Sequence, residues 1–133
     1  MCNYLHSNSV PIPEKGIGYK IFRREGRRIG TMIYGQQYKA GPRGIIRWIH
    51  TQKGGFCFFL SYEEAKRAAN DWQQAVEVCR GPLVICRIEY SLGLGKHTHH
   101  SFICNAEYEM ALCRAFKIGK TLKVYKGTAD GDR

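Results

Sequence analysis

Between Leu83 and Tyr90 the side chains of Val84, Cys86, Ile88 and Tyr90 alternate with Arg87 and Glu89, the period of two that marks a strand with one buried and one wetter face. Tyr19–Arg24 and Ile29–Tyr34 predict two earlier strands joined at Glu25-Gly26, and Ile45–Thr51 predicts a third. The double glycine Gly54-Gly55 releases a short apolar run, Phe56–Leu60, which meets the capping signature Ser61-Tyr62-Glu63-Glu64. There Ser61 can accept from the N–H of Glu64 while the Glu64 side chain reaches back, and both glutamates favour the positive end of the helix dipole. Beyond this cap Ala65, Ala68, Ala69, Trp72, Ala75, Val76 and Cys79 recur at steps of three and four, with Lys66, Arg67, Asn70, Asp71, Gln73, Gln74 and Glu77 opposite. The pattern predicts a helix over Ser61–Cys79 that Gly81-Pro82 stops. Thr121–Tyr125 reads as a last strand with Leu122 and Val124 on one face. The stretch Phe102–Ile118 is open: Ile103, Ala106, Met110 and Cys113 fit a helix, whereas Phe116-Lys117-Ile118 looks extended.

These elements predict an α+β fold, a mostly antiparallel sheet packed against one main amphipathic helix, in a single domain over residues 1–133. Residues 1–14 read as an extended N-terminal arm and 127–133 as a flexible tail. A chain of 133 residues with 44% hydrophobic content can bury a core without metal or disulfide staples. Met1–Glu14 has neither a basic leader nor a continuous apolar run, and no segment approaches the roughly 20 apolar residues that cross a bilayer. The six cysteines form no C-x-x-C unit and four lie in or beside apolar stretches, which predicts buried thiols in a reducing, cytoplasmic compartment.

Charge changes the picture. The net charge is +10, and Lys15–Lys53 holds ten basic residues against one acid, Glu25. Residues 54–113 carry five basic and seven acidic side chains, and Arg114–Arg133 six against two, so basic ends flank a nearly neutral centre. Such a distribution points to an anionic partner: nucleic acid, or an acidic host protein or ribonucleoprotein. The hairpin Arg23-Arg24-Glu25-Gly26-Arg27-Arg28 displays four guanidinium groups, each able to fork two donors onto a phosphate. Lys39, Arg43, Arg47 and Lys53 are interleaved with Tyr34, Tyr38 and Trp48, the mixture used to neutralise a backbone and stack bases. The competing reading is a solvated sheet edge protected from aggregation by its charges. Lys117, Lys120, Lys123 and Lys126 add charge at the other end, and a continuous groove results if the sheet sets them beside the arginine hairpin.

Other apparent motifs fail on their mechanics. Gly93-Leu94-Gly95-Lys96 lacks the first glycine of a phosphate loop, Tyr90 standing there, and His97 replaces its Ser or Thr. Gly16-Ile17-Gly18 lacks the third glycine of a dinucleotide fingerprint, at Ile21, and leads into a strand. Cys2 reads as a plain thiol near the terminus rather than a nucleophile. His97, His99, His100 and Cys104 form the one metal-like cluster, suited to zinc by ligand type but matching no closed four-ligand spacing; they read as a solvated polar loop after the Leu83–Tyr90 strand.

Glu107-Tyr108-Glu109, followed by Met110-Ala111-Leu112, resembles the E-x-E segment of arginine-directed ADP-ribosyltransferases. The resemblance implies NAD as cofactor, Glu109 orienting its ribose and Glu107 activating the acceptor, together with an arginine on an early strand, for which Arg23 or Arg24 is available, and a Ser-Thr-Ser strand, of which this chain offers only the solitary Ser61. A second likeness covers more of the chain. Tyr19-Lys20-Ile21-Phe22, Tyr34, Gly55-Phe56-Cys57-Phe58, Glu63-Glu64-Ala65 and Phe116-Lys117-Ile118 resemble small phage and prophage proteins with a Gly-Phe-His strand before an acidic helix start, Cys57 standing at the histidine position. That likeness implies a phage–host context. The expectation is a non-catalytic basic protein, without cofactor, that engages nucleic acid or blocks a nucleic-acid-guided host defence complex. An NAD-using transferase is the second expectation, and a metal-assisted nucleic-acid enzyme the third.

Overall fold

The computed structural model describes residues 9–25, 28–30, 37–39, 48–51, 54–74, 82–101 and 105–125. Its elements run β1 (Gly16–Glu25), β2 (Arg28–Gly30), β3 (Gln37–Lys39), β4 (Ile49–His50), β5 (Phe56–Phe58), α1 (Tyr62–Gln73), β6 (Leu83–Ser101) and β7 (Ala106–Tyr125). The sheet is antiparallel throughout, in the order β3-β2-β1-β6-β7-β4, with β5 also paired to β7. Among the described residues this is the α+β arrangement expected from the pattern, a mostly antiparallel sheet with one main helix.

The sheet also closes on itself. Just past β5, Phe59 bridges Tyr19 of β1, each N–H donating to the other's carbonyl at 2.8 and 2.7 Å. Hydrogen bonds therefore run in a ring from β1 through β6, β7 and β5 back to β1. Closure gives the strands two buried faces. One core holds Phe22, Phe58, Val84, Cys86, Ile88, Tyr90, Cys113 and Phe116; the other places Ile21, Cys57, Phe59, Leu83, Ile85, Met110 and Leu112 against Ala65, Ala68, Ala69 and Trp72 of α1. Burial on both faces explains why Leu83-Val84-Ile85-Cys86 and Met110-Ala111-Leu112-Cys113 are continuous apolar runs.

One sequence expectation is corrected here, and one stretch left open is decided. The Leu83–Tyr90 strand continues to Ser101, so the stretch holding His97, His99 and His100 is strand and not loop. Ala106–Cys113, whose spacing also fits a helix, is strand: Tyr108, Met110 and Leu112 face α1 while Ala111 and Cys113 face the other core. With apolar residues on both sides, their three- and four-residue intervals carry no helical meaning. Ile103 lies outside the described residues. Residues 9–14 extend along β6 where β1 leaves off, through a Val10–Lys96 bridge and a bond from the Gly93 N–H to the Glu14 carbonyl at 3.0 Å. A Cβ at position 93 would sit 2.5 Å from the Pro13 carbonyl oxygen, so this approach requires glycine.

The helix begins where its cap predicts. Ser61 is extended, and its Oγ accepts from the Glu64 N–H at 3.3 Å. Glu64, expected to reach back to Ser61, instead turns outward: Oε1 takes the Arg67 Nε–H at 2.8 Å and Oε2 the Glu109 N–H at 3.0 Å. Arg67 continues the clamp, donating from Nη2 to the Glu107 carbonyl at 2.6 Å and stacking its guanidinium 4.5 Å from the Tyr108 ring centre. Tyr108 donates to Asp71 at 2.6 Å and meets Trp72 edge to face. The carboxylate–arginine–tyrosine chain thus pins one flank of α1 to the start of β7. Gln74 closes the described helix, and the predicted continuation through Ala75, Val76 and Cys79 lies outside the described residues. So do residues 31–34 and 45–47 of the two expected early strands, whose described parts are β2 and β4, and the 127–133 tail.

Cys57, Cys86 and Cys113 are buried and not in disulfides. Burial pushes the Cys86 thiol up and the Cys113 thiol to about 12, Lys20 pulling the latter partly back. Lys20 is itself buried: its ammonium donates to the Cys57 carbonyl at 2.5 Å and lies 5.7 Å from the ring centres of both Phe22 and Phe116. The amphipathic pattern of β1 contains no sign of this, since it treats a lysine as an outward position.

Three outcomes follow from the packing. A Cβ at Gly18 would meet the Phe58 ring at 2.5 Å and the Phe59 carbonyl at 3.1 Å, at the closing bridge. Gly18→Ala is expected to cost about 1–3 kcal/mol in urea unfolding, with an unchanged transition slope. Tyr108→Phe leaves Asp71 without its donor and should cost about 1–2 kcal/mol by the same measurement. The Arg67 hydrogen bond holds the Glu64 carboxyl below its ordinary value of 4.5, with the Glu109 N–H adding and burial opposing. Its contribution is complete above the ordinary value and lost as pH falls through the lowered one. An acid titration of Glu64→Gln should therefore show a shallower loss of stability below that pH than the wild-type chain.

Candidate anionic-ligand interface

The basic hairpin is built on β1 and β2. Their register sets Glu25 opposite Arg28, Arg24 opposite Ile29 and Arg23 opposite Gly30, and β3 sets Lys39 opposite Arg28. Glu25, Arg28 and Lys39 therefore occupy one cross-strand row. Because successive strand residues point to opposite faces, Arg23 and Arg24 diverge. Arg23 is half-buried on the helix side, whereas Arg24 is exposed on the other, its N–H held by the Pro82 carbonyl at 2.9 Å. Of the four guanidinium groups expected on the hairpin, those of Arg23 and Arg24 thus point to opposite faces of β1. Arg27, Arg43, Arg47 and Lys53 lie outside the described residues; Trp48 is exposed beside β4.

The ladder places the lysine-rich end of β7 close to this hairpin. Leu83 pairs with Arg23 on one side and Tyr125 on the other, Val84 with Phe22 and Val124, and Ile85 with Ile21 and Lys123. One strand separates β1 from β7, so the two backbones run about 10 Å apart. Arg24, Lys120 and Lys123 are exposed at this end of the sheet, with Arg87 exposed further along β6. The three-residue spacing of the lysines is accommodated by register shifts between Ile85 and Cys86 and between Cys86 and Ile88, which give β7 extra residues around Gly119–Lys120 and at Leu122.

Glu63 holds Lys66 at 3.0 Å on the flank of α1 that meets Tyr125, whereas toward the opposite end Glu109 pairs with Lys96 at 3.3 Å, Glu107 stands 4.0 Å from the His100 ring and Glu64 holds Arg67. An open cleft of about 500 Å³ lies there, lined by Leu60, Ser61, Glu63, Glu64, Arg67 and Glu109. Register separates the glutamates of the E-x-E segment from the early-strand arginines: Glu107 and Glu109 face His100 and Thr98, while Arg23 and Arg24 sit at the other end of β6. The arginine beside the glutamates is Arg67, engaged by Glu64 and the Glu107 carbonyl. Sequence reasoning did not single it out as a site residue because its helical position gives no sign of what β7 brings alongside.

The histidines are divided by the pleat. His97 and His99 lie opposite Met110 and Tyr108 with rings 6.4 Å apart, and His100 lies opposite Glu107 on the other face. Cys104 is outside the described residues. Among the described residues no group of three or more His, Cys, Asp or Glu is placed to hold one metal ion. Nor is any described helix long and apolar enough to cross a membrane. No family model, curated protein or solved structure matches this chain.

Proposed function

We propose that this is a non-catalytic basic protein that binds nucleic acid along the end of the sheet where β1, β2 and the end of β7 meet. The observation that carries the reading is the ladder Arg23–Leu83–Tyr125, which sets the backbones of two distant basic segments about 10 Å apart. A patch of that kind neutralises several adjacent phosphates, and the released counterions supply the affinity. Glu64, Glu107 and Glu109 lie toward the other end, where Arg67, Lys96 and His100 stand beside them, so of the acids named here only Glu25 and Glu63 stand near the basic end. In the phage–host context that the second resemblance implies, such a protein would act by occupying a nucleic-acid site, including that of a nucleic-acid-guided host complex. NAD chemistry at Glu107 and Glu109 draws no comparable support, since the arginines nominated for it stand at the far end of β6.

The test is a salt series between about 50 and 200 mM with short RNA, single-stranded DNA and duplex DNA. The wild-type chain should lose affinity steeply. Changing Arg23, Arg24, Lys120 and Lys123 together to glutamine should flatten the log–log slope by about 0.7–0.9 for every phosphate contact removed. A response independent of salt, or NAD consumption that disappears in Glu109→Gln, would overturn the proposal.

A further inference from the structure

Three tyrosines distant in sequence come together on the second flank of α1. Tyr19 of β1 and Tyr62 of α1 have ring centres 5.5 Å apart. The Lys66 ammonium lies 4.9 Å from the Tyr62 ring centre, and the Tyr125 hydroxyl donates to the Lys66 carbonyl at 3.5 Å. Lys123 in turn stands 5.1 Å over the Tyr125 ring. The outcome is a continuous run, Tyr19–Tyr62–Lys66–Tyr125–Lys123, of half-buried rings and the two lysines that rest on them, taken from three elements. It leads toward Arg23, which shares the row of Tyr125 across the sheet, and exposed Arg87 stands opposite Tyr19.

From this arrangement we infer that the run is a stacking platform for single-stranded nucleic acid. The inference rests on the proposed function and specifies its ligand class. Every base has a π-face, so rings alternating with ammonium groups bind an unpaired strand through stacking and phosphate contact without sequence readout. A duplex keeps its bases stacked on one another and offers these tyrosines nothing but phosphates. The lysines resting on Tyr62 and Tyr125 do not block the platform. A cation–π contact at an exposed ring is weaker than a stacked base on the same ring, so an incoming base displaces the ammonium, which turns to the neighbouring phosphate. Tyr62 and Tyr125 are anchored by packing against the helix core, so their rings are held in place before the ligand arrives. Glu63, bound to Lys66 at 3.0 Å and largely exposed, is the acid at this margin and competes with the phosphate for that lysine.

The experiment measures affinity for fluorescein-labelled oligo-U and oligo-dT of about 12 nucleotides, and for a duplex of equal length, at one salt concentration. Both single strands should bind more tightly than the duplex. Tyr62→Leu and Tyr125→Leu should each weaken single-strand binding about 10-fold and leave duplex binding unchanged. Tyr62→Phe and Tyr125→Phe, which keep the ring, should bind like the wild-type chain, separating lost stacking from lost folding. Glu63→Gln should tighten single-strand binding. Equal affinity for the single strands and the duplex, or leucine variants as tight as wild type while the arginine–lysine variant fails, overturns this inference and leaves the charge-based reading intact. Absence of binding to all three probes overturns both.

Discussion

Because β6 and β7 pair from Leu83–Tyr125 at one end to Ser101–Ala106 at the other, every other strand takes its position from that ladder. β1 lies along the outer side of β6, β5 and β4 along the outer side of β7, and the Tyr19–Phe59 bridge joins the two margins into a ring. Closure makes the interior a second core, which is why a chain of this size buries Phe22, Phe58 and Phe116 on one side of the strands and Trp72 of the helix on the other. The same ladder fixes the charge pattern. It brings the end of β7 within one strand of β1 and carries Glu107 and Glu109 away to the far end, so its geometry sets where the lysine-rich segment and these two acids lie.

The helix stands between these two regions. On one flank Glu64, Arg67 and Asp71 join the start of β7 through hydrogen bonds, and on the other Tyr62 and Lys66 meet Tyr19 and Tyr125. Its polar face is thus divided between a self-satisfied cluster and a surface of rings and cations. The difference matters chemically. Arg67 gives its Nε–H to Glu64, an Nη2 donor to the Glu107 carbonyl and its plane to Tyr108, so recruiting it for a ligand would break several contacts that hold the helix. Lys66 and Lys123 rest on aromatic faces and can leave them at little cost.

How much of this could be read in the sequence depended on whether a residue's role was local. The Ser61 cap and the alanine stripe after it are set by neighbours within one or two helical turns, and they appear where the periodicity put them. The strand at Leu83–Tyr90 was legible because Arg87 and Glu89 mark its wetter side; Met110–Cys113 was not, because burial on both faces erases alternation. Lys20 gave no warning, since only the Cys57 carbonyl and the rings of Phe22 and Phe116, all remote in sequence, make its burial tolerable. For the surface, the charge imbalance was visible while its geometry was not: nothing in the residue order told that Tyr125 would share a row with Arg23, or that Tyr19 and Tyr62 would touch. The histidine stretch misled for a related reason. Polar residues after glycines imitate a loop, but here Gly93 admits the Pro13 carbonyl and the strand runs on beneath the N-terminal arm.

The lysine-rich end of β7 also bears on how a partner approaches. Among the described residues, β7 beyond Phe116 has β6 on one side and no strand on the other, so its outer edge could in principle add a strand from another molecule. Two features oppose that. The extra residues around Gly119–Lys120 and at Leu122 break the even spacing of backbone groups that an incoming strand needs, and Lys120 and Lys123 would oppose their own counterparts in a second copy of this chain. Neither feature hinders a ligand that meets side chains instead of backbone. An edge uneven in backbone spacing yet lined by exposed ammonium groups disfavours strand addition and leaves its side chains open to the mode of contact that the proposed nucleic-acid reading requires.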